Sequence, residues 1–141
     1  MAGRARISTA RLAVVVACAL TLSACGGVKN TGSASGSRPT TAARLEILDP
    51  TPSQIEPSDF TLKLRLIGAT VVPQTTGSLR RDQGHIHVSL DGQLVSMAYG
   101  TSQALHAIKP GSHTIQAEFV AVDHAPFQNR VIAAVLFQVR P

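Results

Sequence analysis

The chain has 141 residues, a formal net charge of +5, 44% hydrophobic residues and only 4% aromatic residues. Three of its arginines lie within the first 11 positions, and without them 10 basic residues stand against 8 acidic ones. So small an excess of basic residues does not indicate the concentrated basic face that nucleic-acid binding requires. We therefore predict no nucleic-acid partner.

The first 24 residues have the pattern of a secretory signal peptide. Arg4, Arg6 and Arg11 precede the apolar run "LAVVVACAL", and small residues follow that run up to Cys25. The run is far shorter than the ~20 residues that a transmembrane helix needs. We therefore predict that residues 1–24 direct export and are removed.

The end of this segment indicates a lipid anchor. Leu22, Ser23, Ala24 and Cys25 resemble the lipobox of bacterial lipoproteins, in which an aliphatic residue and two small residues precede a cysteine. The resemblance implies that Cys25 becomes the first mature residue and carries a diacylglyceryl thioether. Two acyl chains anchor a protein stably, whereas one chain binds a membrane only marginally. The expected location is the extracytoplasmic face of the cell membrane, with the membrane as a partner through Cys25.

A linker is predicted to follow the anchor. The segment 26–43 reads "GGVKNTGSASGSRPTTAA", and Val28 is its only large apolar residue. Such a composition buries too little surface to order itself. We predict a lipidated cysteine and flexible linker over 25–43 and one folded domain over 44–141.

The domain shows strand patterns nearly throughout. In "FTLKLRLIG" and "HIHVSL" apolar and polar residues alternate with period two, as in half-buried strands. Asp91-Gly92 is a hairpin signal. The predicted strands are 44–48, 60–68, 85–90, 93–99, 105–108, 113–122 and 130–139. About seven short strands in a domain of this length predict an all-β fold, a single antiparallel β-sandwich.

Residues 108–124 resemble the corner between the fifth and sixth strands of bacterial immunoglobulin-like domains. Ile108, Gly111, Thr114 and Ile115 fit that pattern, and His113 stands where the family usually has a tyrosine. The resemblance implies an immunoglobulin-like sandwich and a structural role for His113, whose imidazole could make a similar corner hydrogen bond. It carries no information about function.

The histidines are the feature that could carry chemistry. A His-x-His sequence on a strand puts both imidazoles on one face. In an immunoglobulin-like sandwich the third and sixth strands are antiparallel neighbours, so the start of "HIHVSL" should lie near the end of "HTIQAEFVAV". The candidate metal ligands, for Cu or Zn, are therefore His85, His87, Asp123 and His124. His113 should lie at the opposite end of the sandwich, and His106 is predicted to be partly buried.

Two loops are the candidates for binding contacts. The long segment 68–84 contains Arg80 and Arg81, which could touch anionic lipid headgroups or wall polymers. The segment 122–130 contains Phe127, a candidate exposed anchor. Long loops on a sandwich often carry binding.

Three functions fit the sequence, of which we predict the first and keep the other two as alternatives. The first is a non-catalytic binding or accessory module, without a cofactor, that engages an unidentified envelope protein or wall component. The second is an envelope protein that stores or passes Cu or Zn through the His-x-His strand. The third, an envelope hydrolase, has the least support, because the sequence shows no nucleophile elbow, phosphate loop or paired catalytic carboxylates.

Overall fold

The structure, a computed structural model, describes residues 37–73 and 78–141. The signal peptide, Cys25 and the linker up to residue 36 lie outside the described residues. Ser35–Pro141 forms one compact unit. Within the described ranges, none of the chain forms a helix long and apolar enough to cross a membrane.

The described residues form two packed β-sheets. One sheet has the strand order β1-β3-β7, and the other has the order β2-β9-β8-β5-β4, with β6 also paired to β5. The strands are β1 (Arg44–Asp49), β2 (Ile55–Glu56), β3 (Phe60–Ile67), β4 (Thr70–Val71), β5 (Gln83–Leu90), β6 (Gln93–Ala98), β7 (Ser102–Leu105), β8 (Gly111–Ala121) and β9 (Pro126–Val139).

Period-two alternation places the core between the sheets. In β3, Leu62 and Leu64 are buried while Lys63 between them is exposed. Ile86 and Val88 of β5 are fully buried on the inner face of the other sheet. Burial of these apolar faces is the main stabilising term, since it removes apolar surface from water.

The prediction of an all-β immunoglobulin-like sandwich is confirmed. The third and sixth long strands, β5 and β8, are antiparallel neighbours, as this fold requires. The strand predicted at 105–108 is misplaced, because β7 ends at Leu105. Ala107 has a positive φ of 55°, which is incompatible with an extended strand. The chain therefore turns at Ala107, and the next residue, Ile108, donates its N–H to the Ser58 carbonyl oxygen.

The folded domain begins before residue 44, where the sequence placed its start. Thr41 and Ala43 are buried, and Asn129 accepts a hydrogen bond from the Thr41 N–H at 2.8 Å. Arg38 binds Asp123 with two hydrogen bonds of 2.8 and 2.9 Å. The composition of this segment suggested a flexible linker, but its few polar and apolar groups find partners on the β8–β9 hairpin.

Phe127 corrects a second expectation. It is not an exposed loop anchor but a core residue, 2% exposed, whose ring stacks on Phe119 at 5.3 Å. The predicted loop 122–130 is much shorter, because β9 already begins at Pro126. Alternation from that start turns Phe127 inward.

His113 makes the corner contacts at the far end of β8. Its Nδ1 donates to Asp91 at 2.7 Å and its Nε2 donates to the Lys109 carbonyl oxygen at 2.8 Å. The hydrogen bond to Asp91 raises the pKa of His113, and the Asp91 pKa is lowered by hydrogen bonds from the Thr114 N–H and from His113. The histidine thus bonds to the backbone four residues upstream, as the usual tyrosine does by its hydroxyl.

This pair predicts a pH-dependent stability. Because the folded pKa of His113 is raised, its contribution is fully present below the unfolded value of about 6.5 and is lost as pH rises through the folded pKa. We expect the stability difference between wild type and His113→Gln to be largest near about pH 5.5 and to shrink by about pH 8.5. Urea unfolding across that range measures it, and a difference that stays constant with pH would contradict the assignment.

Candidate metal centre

Strand β5 carries two histidines on the outer face of its sheet. His85 and His87 alternate with Ile86 and Val88, which fill the core, so the imidazoles point away from it. His85 is nevertheless fully buried and His87 is partly buried. The outer face is therefore covered at this end of the sheet, and the cover includes the turn that follows β8.

The third histidine, His124, lies in that turn. The His124 N–H donates to the Ala121 carbonyl oxygen at 3.0 Å, and the Ala121 N–H donates to the Ala125 carbonyl oxygen at 3.1 Å. His124 has a φ of 63°. This left-handed conformation costs a residue with a Cβ roughly 1–2 kcal/mol, and glycine would adopt it without that cost. Backbone strain of this kind clusters at functional sites, so the side chain of His124 is a candidate functional group.

Three ring nitrogens converge on one point. The distance from His85 Nε2 to His87 Nε2 is 3.1 Å, and that from His85 Nε2 to His124 Nδ1 is 2.9 Å. The third distance, from His87 Nε2 to His124 Nδ1, is 3.2 Å. We call His85, His87 and His124 the histidine triad. Each histidine of the triad offers one nitrogen as a potential ligand, and the three nitrogens lie close enough together to bind a single metal ion.

Hydrogen bonding alone cannot satisfy this triangle. A neutral imidazole nitrogen carries either a proton or a lone pair. One N–H can be shared between the other two nitrogens, but those two then face each other with lone pairs. With two N–H groups, two protons face each other instead, so at least one of the three contacts is repulsive. A cation at the centre would attract the lone pairs of all three nitrogens, so none of the three rings would then make a repulsive contact.

The spacing suits a transition metal. Zinc bonds imidazole nitrogen at 2.0–2.1 Å, and tetrahedral ligands at that distance stand about 3.3 Å apart. The observed separations of 2.9–3.2 Å are close to this value. Imidazole suits Zn, Cu, Fe and Ni. With the metal on Nε2, the proton of His85 resides on Nδ1, a buried atom without a hydrogen-bond partner among the described residues.

The electrostatics keep two of the imidazoles neutral. Burial, followed by the proximity of His124 and His87, lowers the pKa of His85 to about 4. Burial and His124 also lower the pKa of His87. Metal binding requires the unprotonated ring, so at neutral pH these two lone pairs are available without loss of a proton.

The two nearby carboxylates are bound by arginines. Asp123 accepts both hydrogen bonds from Arg38, which hold the pKa of Asp123 at about 2. Glu118, paired with His87 across the strands, accepts hydrogen bonds of 2.7 and 2.6 Å from Arg130. The structure thus brings together three of the four proposed ligands, His85, His87 and His124, and places the carboxylate of Asp123 on Arg38.

The other histidine and arginine candidates outside the triad are exposed. The side chain of His106 is 72% exposed and contacts Asp59 at 3.0 Å, so the expected partial burial is wrong. Arg80 and Arg81 are exposed, and Arg80 contacts Asp82 at 3.4 Å. Their role in binding stays a prediction.

The sequence reasoning missed Tyr99. Its ring centroid lies 5.5 Å from that of His85, and its side chain is half exposed beside the triad. Regular counting from the Asp91-Gly92 hairpin pairs His85 with Ala98 and places Tyr99 on the opposite face of the sheet. Only the register shift between Val88 and Ser89 brings Tyr99 to the face of His85, so the sequence pattern did not indicate it.

Gly84 lets β8 approach β5 next to the triad. A Cβ on Gly84 would stand 2.0 Å from the Val120 carbonyl oxygen and 3.0 Å from the Phe119 ring. We expect Gly84→Ala to destabilise the domain by about 3 kcal/mol, the upper range of overpacking, because backbone must move. Urea unfolding measures this loss. Gly100→Ala is the matched control, since a Cβ there meets nothing within 4 Å, and equal effects of the two changes would argue against the close approach.

In comparisons with known proteins, the chain shows only weak similarity, and only to solved structures. No family model and no curated protein matches the chain. A lytic polysaccharide monooxygenase of Jonesia denitrificans has 19% sequence identity and a TM-score of 0.41 over 64% of this chain, which spans 59% of the length of that structure. The CARDB domain of a Pyrococcus furiosus protein, solved in complex with di-metal ions, has 16% identity and a TM-score of 0.38, over 70% of this chain and 92% of the domain.

Proposed function

We propose that this protein is a metal-binding protein of the bacterial cell envelope, which holds one Cu or Zn ion in the histidine triad and stores or passes it. The single observation that supports this most strongly is the convergence of three ring nitrogens within 2.9–3.2 Å. The proposed role is non-catalytic.

The exposure of the ligands supports exchange of the ion. His85 is fully buried, whereas His87 and His124 are each partly exposed. An ion bound here has one side towards the sheet and another towards solvent. Such a site allows entry and release without opening of the core.

The proposed location comes from the lipobox. Lipidation at Cys25 would keep the domain on the extracytoplasmic face of the membrane, where it meets metal ions or partner proteins of the envelope. Replacing Cys25 by Ser should release the protein from the membrane fraction and remove its label from radioactive palmitate. Retention of the label would contradict the anchor and leave the metal site to be judged separately.

Thermal unfolding with added metal tests the function. The experiment uses residues 35–141, which form one compact unit, freed of any tag, with Zn(II), Cu(II) or Ni(II) or without metal. A ligand at 100 times its Kd adds ~2.7 kcal/mol of stability, which for this size raises Tm by roughly 10 °C or more. A selective rise supports the proposal, and the absence of a shift with all three metals would contradict it.

A further inference from the structure

The outer face of the sheet offers one more donor beside the triad. In the β5–β6 ladder His87 stands directly opposite Met97. Side chains of directly opposed residues share a face, with Cβ atoms about 4.5–5.5 Å apart. Met97 is 45% exposed, so its side chain is not packed in the core.

The neighbouring side chain on the same strand face supports this placement. Tyr99, two residues after Met97, contacts the ring of His85 at 5.5 Å between centroids. The outer face at the end of β6 therefore flanks the triad. Methionine has three rotatable bonds and a polarisable sulfur, so it can adjust to a nearby ion.

The two carboxylates near the triad are occupied. Asp123 is bound by Arg38, and Glu118 on the opposite side of His87 is bound by Arg130. These two carboxylates are thus neutralised by guanidinium groups. The remaining soft donor is the sulfur of Met97, the only sulfur atom in the sequence from residue 35 onwards.

From this geometry, and resting on the proposed function, we infer that Met97 is a fourth ligand and that the site prefers copper, Cu(I) above all, to zinc. Thioether ligands select Cu(I), whereas oxygen ligands suit harder ions. Three imidazoles with one thioether make a donor set for copper. Zinc would use the three imidazoles and a water molecule.

Comparison of wild type with Met97→Leu tests the assignment, because leucine conserves volume and removes the sulfur. Affinities for Cu(I) and Zn(II) are measured by competition with chromophoric chelators. We expect the Cu(I) affinity to fall at least about tenfold and the Zn(II) affinity to change less than about threefold. Leu94→Ala, an exposed apolar residue of the same strand, is the control and should change neither.

X-ray absorption at the copper edge gives an independent readout. In residues 35–141 freed of any tag, a sulfur scatterer in the Cu(I) form can come only from Met97, and it should vanish in Met97→Leu. Tight copper binding through nitrogen alone, with unchanged affinity in the variant, would overturn the role of Met97 and leave the triad intact. Failure of both proteins to bind any metal would overturn this inference together with the proposed function.

Discussion

Replacing His124 by glycine should abolish tight metal binding and leave the fold at least as stable as before. His124 sits at a φ of 63°, so glycine relieves roughly 1–2 kcal/mol of strain and loses about 0.4–1 kcal/mol through the greater freedom of the unfolded chain. The free energy of unfolding should stay the same or rise by about 1 kcal/mol. Metal affinity should fall more than about a hundredfold, since even loss of a group that only orients a ligand costs 10–100-fold.

Isothermal titration with Zn(II), paired with urea unfolding of the metal-free protein, measures both effects. The matched control is His106→Ala, which removes an exposed histidine outside the triad and should leave the affinity unchanged. A His124→Gly protein that is clearly less stable yet binds metal as before would show that His124 serves the turn and not the ion.

Replacing Phe119 by alanine should cost about 3–5 kcal/mol of unfolding free energy, the range for a large buried aromatic side chain. Phe119 is fully buried on β8 and stacks on Phe127 at 5.3 Å. Its removal leaves a cavity between the sheets next to the segment that carries His124. A loss of this size is a large part of the stability of an ordinary domain.

Urea unfolding of the metal-free variant measures this cost. Leu136→Ala provides the comparison, because Leu136 lies on the neighbouring strand β9 as a residue that is 58% exposed. Surface changes are usually within about 0.5 kcal/mol. A loss below about 1.5 kcal/mol for Phe119→Ala would mean that the two sheets do not pack around this ring as described.

The triad could be predicted because its elements follow simple rules. Alternation puts His85 and His87 on one face, and the fold makes the third and sixth strands neighbours, which brings the turn after β8 towards them. These rules fix the positions of strands but not of charged side chains. They left Asp123 and His124 as equal candidates, since nothing in the sequence reveals that Arg38, 85 residues away, binds the aspartate.

The neighbours of the triad depend on irregularities that composition does not show. Regular counting from the Asp91-Gly92 hairpin would place Ser96 opposite His87. A register shift between Val88 and Ser89 places Met97 there instead. A bulge adds one residue to one strand and changes which side chains meet, so the proposed copper ligand could not be predicted from the sequence pattern alone.

Phe127 shows the same limit at a loop. The cluster of polar residues around it favoured a long connection, and an aromatic side chain in a loop suggested an exposed anchor. The start of β9 at Pro126 reverses that interpretation, because the next position then faces the core. One or two residues of uncertainty in a strand boundary are enough to turn a predicted binding residue into a core residue.

The central claim is that one metal ion binds at the histidine triad. The most direct test is a crystal structure of residues 35–141 grown with one equivalent of Zn(II), with anomalous diffraction measured at the zinc edge. We predict a single strong peak 2.0–2.1 Å from His85 Nε2, His87 Nε2 and His124 Nδ1. A structure in which zinc lies elsewhere, with the three nitrogens bound to no ion, would contradict the account.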